Sequence, residues 1–133
     1  MSLFSSDDRL YTVLQAVFER VQEDPANVES FTNSNLVIRI LFTDLDAEVL
    51  LDGRQPPMEI FYGETPGDAN IEINLTSELL HHIWLGEQNI QRALFMRKIK
   101  TKGNIMKAVS LFDLFQECER VYPEIAKAHG VGG

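Results

Sequence analysis

A chain of 133 residues, 44% hydrophobic and 24% charged, has the composition of a single globular domain that buries about two thirds of its unfolded surface. Its net charge of −8 repels phosphate backbones, so we expect no nucleic-acid partner. No apolar run approaches the roughly 20 residues that span a bilayer, and the first residues lack the basic and apolar regions of a secretory leader.

The first predicted elements are helices. Ser5 and Ser6 offer an N-cap, and an apolar stripe at helical spacing follows them. The stripe consists of Leu10, Val13, Leu14, Val17 and Val21. Asp24 as a cap and Pro25 at the first helical position predict a second, short helix that runs towards Phe31.

Four strand-like segments follow a turn at residues 33–35. Residues alternate between the two faces of a strand in the segments 36–43, 47–52, 58–62 and 70–75. The connections between consecutive segments are short, which predicts an antiparallel meander. One face of such a sheet needs a cover of helices.

Helical spacing then returns. Thr76 or Ser77 caps a helix that runs to Trp84 and stops at Gly86. Residues 89–97 predict a further short helix. A fifth strand is expected at residues 98–102, where charged and less polar residues alternate.

The last helix is predicted from about residue 104 to beyond Phe115, with Pro123 starting a terminal turn of helix. The order of elements predicts an α+β fold with a five-stranded sheet. We expect one domain over residues 1–133, with its core at about 7–122 and a terminal helix turn and flexible tail at 123–133.

Basic residues are concentrated in one segment. Residues 92–107 contain six basic and no acidic side chains, whereas residues 1–91 contain four basic and sixteen acidic ones. Within that segment Lys98, Lys100 and Lys102 form a basic strip on one face of the fifth strand. The strip is either a solvated face that protects a sheet edge or a docking site for an acidic partner.

Catalytic and metal-binding patterns are weak. Glu78, His81 and His82 share a helix, but a di-metal site of that type needs a second copy of the motif on another helix. Cys118 lies within a helix without a nearby histidine that would activate it. We therefore expect no enzyme activity, no metal and no cofactor, and the single cysteine suits the cytoplasm.

The final helix has an apolar face that covers about half of its circumference. Such a face usually packs into the core. Beside the lysine-bearing strand, it can also enclose an apolar space.

The segment 93–112 resembles the sterol carrier protein 2 domain family. The family pattern is a helix end, alternating lysines and apolar residues, Gly-Asn, and a helix with Ala and Leu. Here it matches the run from Lys98 to Gly103-Asn104, followed by Ala108 and Leu111. The segment 71–78 with the later Gly86 is similar to the strand-into-helix part of the family, so the resemblance spans about residues 10–116.

The resemblance implies a mainly antiparallel five-stranded sheet covered on one face by helices, with an apolar tunnel between the layers. The wall positions that it implies are Phe95, Met96, Ile99, Thr101, Ile105, Val109 and Phe112. The position of Trp84 on the preceding helix adds it as a lid or wall, or else as plain core.

Two residues depart from the family pattern. Arg97 stands where a glycine is common, and Thr101 stands where an apolar residue is usual. The turn before the fifth strand is therefore expected to differ, and Thr101 is expected to offer a hydroxyl to a polar ligand head.

The function that the resemblance implies is non-enzymatic binding and carriage of lipids, sterols or fatty acyl chains, with at most transient membrane contact. The alternative is a protein–protein accessory module of the same fold, for example one that assists the synthesis of lipid-soluble quinones. The sequence leaves both a monomer and a homodimer open.

Overall fold

The computed structural model describes residue 4 and residues 6–131, apart from the side chains of residues 105 and 106. Five strands and five α-helices are assigned in this part of the chain, in the order of an α+β fold. The helices are α1 (Asp7–Gln22), α2 (Glu29–Thr32), α3 (Ser77–Trp84), α4 (Ile90–Phe95) and α5 (Val109–Ala128). The strands are β1 (Val37–Phe42), β2 (Ala47–Asp52), β3 (Glu59–Tyr62), β4 (Ile71–Leu75) and β5 (Lys100–Lys102). Short 3₁₀ turns precede α2, at Pro25–Val28, and α5, at Ile105–Ala108.

The helix starts follow the predicted caps. The Ser6 hydroxyl accepts a hydrogen bond from the Arg9 N–H at 3.2 Å, and the Asp24 carboxylate accepts one from the Ala26 N–H at 3.0 Å. Thr76 caps α3, since its hydroxyl accepts from the Leu79 N–H at 3.0 Å. These bonds satisfy N–H groups that have no partner within their own helix. Ser5, the other predicted cap of α1, lies outside the described residues.

The sheet has the strand order β3-β2-β1-β4-β5 and is mainly antiparallel, as expected. The predicted meander is wrong at β4, which pairs with β1 in parallel. The cause is the connection at residues 63–70, which is long enough to return across the sheet. Asn70 fixes its end, because Asn70 and Val37 exchange two hydrogen bonds of 2.8 Å. Arg39 holds its middle by donating to the carbonyls of Thr65 and Gly67 at 2.6 and 3.0 Å.

Helices cover one face of the sheet, as predicted. The inner-face side chains of the strands are buried in a single core with the apolar stripe of α1 and the inner rows of α3 and α5. The strand residues of that core include Ile38, Ile40, Phe42, Val49, Leu51, Ile71, Ile73 and Leu75. Alternation at period two thus places every second side chain against the helices.

Helix α5 continues through Pro123 to Ala128, beyond the predicted break. Proline removes one backbone donor, but Tyr122, Ile125 and Ala126 on either side of it are buried and hold the helix in place. Gly130 then ends the helix with a φ of 69°, and the buried Val131 donates to the Ala126 carbonyl at 2.9 Å. Of the expected tail, only residues 132 and 133 lie outside the described residues.

A helix that spans a bilayer must be both long and apolar. Within the described residues, each helix is either too short or too polar to pass through a membrane.

The turn between β1 and β2 is tied to the start of α3. The Asp44 carboxylate accepts hydrogen bonds from the Ser77 N–H and the Ser77 hydroxyl, both at 2.7 Å. Burial raises the pKa of Asp44, but these hydrogen bonds outweigh that effect and bring it below its ordinary value. The ionised carboxylate also faces the N-terminal end of a helix, where negative charge is favourable.

We predict that Asp44→Ala lowers the free energy of unfolding by about 1–2 kcal/mol at neutral pH, because it removes the acceptor for the start of α3. Since the folded pKa is lowered, the contribution is present above the ordinary carboxyl pKa of about 4 and is lost as the pH falls through the folded value. Urea unfolding of both proteins across this pH range measures the difference. The matched control is Asp46→Ala, which removes an exposed charge from the same turn. An equal loss in the control would contradict the assignment.

Candidate functional site

The segment between α4 and β5 contains a left-handed turn. Arg97 has a φ of 61°, and the Lys98 N–H donates to the Ala93 carbonyl at 2.9 Å. The Arg97 N–H donates to the Leu94 carbonyl at 3.1 Å, which completes the pattern of a helix C-terminus that normally uses glycine. The turn before β5 was expected to differ from the family pattern because Arg97 stands where a glycine is common. The residue type differs, but the backbone of Arg97 adopts the conformation that glycine favours.

A second glycine position fixes the other end of β5. Gly103 has a φ of 99°, and a Cβ atom there would collide with the backbone carbonyl of Asn70. The close approach brings the end of β5 against the start of β4, where Lys102 is paired with Glu72. The Gly-Asn pair of the resemblance thus has a steric reason in this chain.

A groove lies between α5 and the segment that links α3 to α4. It has a volume of about 710 Å³, and polar groups make up the larger part of its exposed lining. Its apolar lining residues, which we call the base, are Ile83, Ile90, Met96, Phe112 and Phe115. Its polar residues, which we call the rim, include Glu87, Gln91, Arg92, Lys98, Gln116 and Glu119. The volume falls within the range of about 300–1,000 Å³ that is usual for ligand sites.

The rim of the groove has basic residues from one part of the chain and acidic residues from two others. Arg92 and Lys98 come from α4 and the turn after it, while Glu87 and Glu119 belong to the loop after α3 and to the middle of α5. Glu87 is paired with His82, whose Nδ1 lies 2.7 Å from its carboxylate. Within the described residues, Arg92 and Lys98 form no ion pair, so their charges remain available in the groove.

Two of the predicted wall residues, Met96 and Phe112, line this groove. Two others lie in the core: Ile99 is buried, and Trp84 packs edge-to-face against Phe18, Phe115 and Tyr122, at centroid distances of 6.1, 5.5 and 5.4 Å. Trp84 is buried in this structure, and a ligand role for it stays a prediction.

The remaining predicted wall residues have other environments. Phe95 and Val109 are on the surface, with 88% and 61% of their area exposed. Thr101 is half-buried in β5 opposite Ile73, outside the groove lining. The side chain of Ile105 lies outside the described residues. A ligand role for each of these residues stays a prediction.

Between the sheet and the helices, the described apolar side chains form a single buried core. A void beneath α1 and α3, lined by Leu14, Trp84 and Tyr122 among others, is too small to admit a water molecule. An enclosed tunnel between the layers is therefore not shown, and the open groove beside α5 is the site that the structure offers instead.

The basic strip is divided between two surfaces. Lys98 lines the groove, whereas Lys100 and Lys102 are exposed on β5, an edge strand that pairs with β4 alone among the described strands. Lys102 lies opposite Glu72, and its Nζ is 3.8 Å from that carboxylate. Charged side chains at this place shield the sheet edge from pairing with another chain.

Sequence reasoning missed several residues of the groove. Gln116 and Glu119 extend the row that begins with Val109 and Phe112, at the spacing of one helix face. The spacing i, i+3, i+7 and i+10 places these four residues on one helix face. Gln116 and Glu119 are polar, so a prediction based on the apolar stripe of α5 does not include them. Ile83 and Ile90 gave no signal, because only the fold brings α3 and α4 beside α5.

Two side chains of types that catalysis often uses, Cys118 and His81, are buried. Burial raises the pKa of the Cys118 thiol, which keeps it protonated. Burial, together with the neighbouring His82, lowers the pKa of His81, whose Nδ1 lies 2.6 Å from the Tyr122 hydroxyl. Within the described residues there is no cluster of three side chains suited to a metal ion.

Residues 14–116 match the model of the SCP-2 sterol transfer family. The chain belongs to that family. It is 32% identical over 53 residues to a protein of Yarrowia lipolytica named "Fatty acid-binding protein". That match covers 40% of this chain, and it spans only 41% of the length of the curated relative.

Solved structures show the same fold. Sterol Carrier Protein 2 from Yarrowia lipolytica in its apo form has a TM-score of 0.64 at 22% identity, with coverage of 90% of this chain and 95% of that one. A structure titled "UbiJ-SCP2 Ubiquinone synthesis protein" has a TM-score of 0.61 at 16% identity, with coverage of 80% and 87%. Both support the α+β fold with a five-stranded sheet that was expected from the resemblance.

We predict that Arg97→Gly raises the free energy of unfolding by about 1 kcal/mol, because glycine adopts the left-handed conformation without the steric cost that arginine bears. Arg92→Gly, within α4, is the matched comparison and lowers the free energy of unfolding by about 1 kcal/mol. Thermal and urea unfolding of the two variants measure the opposite signs. A loss of stability in both would disprove the strain at Arg97.

Proposed function

We propose that this protein binds single lipid molecules, such as sterols or fatty acyl chains, and carries them without chemical change. The groove beside α5 is assigned as the binding site. The observation that carries the proposal is an open groove whose mainly polar lining includes Met96, Phe112 and other apolar side chains, in a member of a sterol transfer family.

The apolar residues of the groove come from several parts of the chain, which suits a ligand that contacts α3, α4 and α5 together. Phe112 and Phe115 belong to α5, Ile83 to α3 and Ile90 to α4. Met96 is half-exposed at this base, and its flexible thioether side chain adapts to ligands of irregular outline. The groove is assigned in preference to a tunnel, since the void beneath α1 and α3 is too small to admit a water molecule.

The rim supports an amphipathic ligand rather than a pure hydrocarbon. Arg92 and Lys98 are unpaired cations beside the apolar base, and they suit a carboxylate or another anionic head. Each methylene that leaves water contributes about 0.8 kcal/mol, which is about a fourfold gain in affinity. Affinity is therefore expected to rise with chain length until the groove is filled.

We predict that Phe112→Ala weakens the binding of decanoate about tenfold, because it removes a partly exposed phenylalanine side chain from the groove lining. Isothermal titration calorimetry with octanoate, decanoate and laurate measures both this loss and the fourfold gain per methylene. Phe61→Ala is the matched control, since Phe61 is partly exposed on β3, outside the groove lining.

Thermal unfolding confirms that both variants keep the fold. The assignment of the groove fails if Phe112→Ala binds decanoate as tightly as the Phe61→Ala control. The carrier proposal itself fails if the unmodified protein binds none of the three acids and native mass spectrometry of the purified protein detects no lipid.

A second candidate function is an accessory module that assists an enzyme of lipid-soluble quinone synthesis by binding to it. The fold likeness to the structure titled as a ubiquinone synthesis protein favours it, as does the exposed pair Lys100 and Lys102 on the edge strand. In this second function, the two lysines bind an acidic surface of the partner enzyme.

We predict for this second function that Lys100→Glu with Lys102→Glu abolishes capture of an acidic partner enzyme from a lysate, because both charges that attract it are reversed. Arg54→Glu with Lys127→Glu is the matched control, since it reverses two exposed cations elsewhere. Calorimetry with decanoate is expected to be unchanged, because neither lysine lines the groove. Equal capture by both double variants would rule out docking at the edge strand.

A further inference from the structure

An exposed apolar patch lies at one end of the groove. Phe95 and Met96 are consecutive at the end of α4, with 88% and 52% of their area exposed. Val109 is 61% exposed and precedes Phe112 by three positions, so both lie on one face of α5. Met96 and Phe112 line the same groove, so Phe95 is the chain neighbour of one lining residue and Val109 lies one helical turn before another. We call Phe95, Met96 and Val109 the apolar patch.

Single exposed apolar residues are ordinary on protein surfaces, but a cluster of this kind marks an interaction site. Phe95 has a specific reason to be exposed. Ala93, two residues earlier, is fully buried and fixes the inner face of α4, and the left-handed turn at Arg97 prevents the helix from continuing. The backbone thus holds Phe95 away from the core.

Four cations lie near the apolar patch along the chain. Arg92, Arg97, Lys98 and Lys107 are exposed and come from the segment 92–107, which contains no acidic residue. None of the four belongs to an ion pair within the part of the chain that the structure describes. The surface therefore combines protruding apolar side chains with several uncompensated positive charges.

We propose that the apolar patch and its cations dock the protein on an anionic lipid bilayer. Apolar side chains enter the headgroup region while the cations pair with anionic lipids, and stable attachment needs both kinds of contact. An acidic protein surface matches the cations, but it gives no reason for Phe95 and Met96 to protrude without a cover. A bilayer accepts such side chains without a preformed pocket.

The charge of the rest of the chain orients this contact. Residues 1–91 contain sixteen acidic and four basic side chains, so an anionic surface repels them. Glu87 and Glu119, on the groove rim, are repelled in the same way. The protein then approaches with the patch first, and the groove opens towards the bilayer.

This inference goes beyond the proposed function, since bilayer binding by the patch does not require that the groove hold a ligand. If both hold, a lipid passes between bilayer and groove without crossing water. A failure of vesicle binding leaves the binding of decanoate in solution intact, and the converse also holds, so the two proposals fail separately.

The experiment uses the full chain with vesicles of phosphatidylcholine alone and of phosphatidylcholine with phosphatidylglycerol in equal parts. Sedimentation measures the bound fraction. We expect binding to the anionic vesicles only, and a decrease as salt shortens the Debye length from about 8 Å at physiological ionic strength to about 3 Å at 1 M. Equal binding to both kinds of vesicle, or binding to neither, overturns the proposal.

The apolar contribution is tested with Phe95→Ser. We expect about tenfold weaker binding to the anionic vesicles, since a phenylalanine side chain no longer leaves water. Phe61→Ser is the matched control, because it makes the same change at another partly exposed phenylalanine. Both residues lie outside the groove lining, so decanoate binding is expected to be unchanged in each. Equal losses in the two variants overturn the role of the patch.

The cationic contribution is tested with Arg97→Asn combined with Lys107→Gln. Asparagine tolerates the left-handed backbone at position 97, so the turn is retained. We expect about a fivefold loss of vesicle binding for each cation and a weaker dependence on salt. The matched control is Arg54→Asn with Lys127→Gln, which removes two exposed cations elsewhere. Capture of an acidic protein by this surface without any binding to vesicles overturns the bilayer as its partner.

Discussion

Helix α5 contributes side chains to both the core and the groove, because the aromatic contacts around Trp84 fix the position of the helix. The indole is 1% exposed and touches Phe18 of α1 and Phe115 and Tyr122 of α5. Edge-to-face aromatic pairs add directional preference to apolar burial, so they fix the rotation of α5 as well as its distance from α3. With that rotation fixed, Phe112 lies at the base of the groove and Cys118 in the core.

The groove depends on the same arrangement from its other side. α4 is only six residues long, and it is held by its cap at Asn89 and by the buried Ala93. The left-handed turn at Arg97 then sends the chain into β5, which Gly103 brings against β4. The turn at Arg97 and the close approach at Gly103 thus fix the chain on both sides of β5, next to the groove residues Met96 and Lys98.

The fold was largely predictable from the sequence, because its signals are local. Caps such as Ser6 and Thr76 and the alternation within β1, β2 and β4 identified the elements. The parallel pairing of β4 with β1 was not predictable in this way. It depends on the exchange of hydrogen bonds between Asn70 and Val37, which are far apart in the sequence.

The site was predicted less well than the fold. Of the predicted wall residues, Met96 and Phe112 line the groove, and Lys98 of the predicted basic strip lines it too, while their roles stay predictions. The sequence could not separate Met96 and Phe112 from Phe95 and Val109, because apolar residues at neighbouring helical positions look alike until the helix is placed against the core. Whether a space remains between sheet and helices also has no local signal, since it depends on many side chains together.

The single tryptophan of the chain has a practical consequence. Phe115 touches the indole on one side and lines the groove on the other. An occupant of the groove therefore lies one aromatic ring away from the chain's only indole fluorophore. The emission spectrum of this tryptophan can therefore report both unfolding of the core and occupancy of the groove without an added dye.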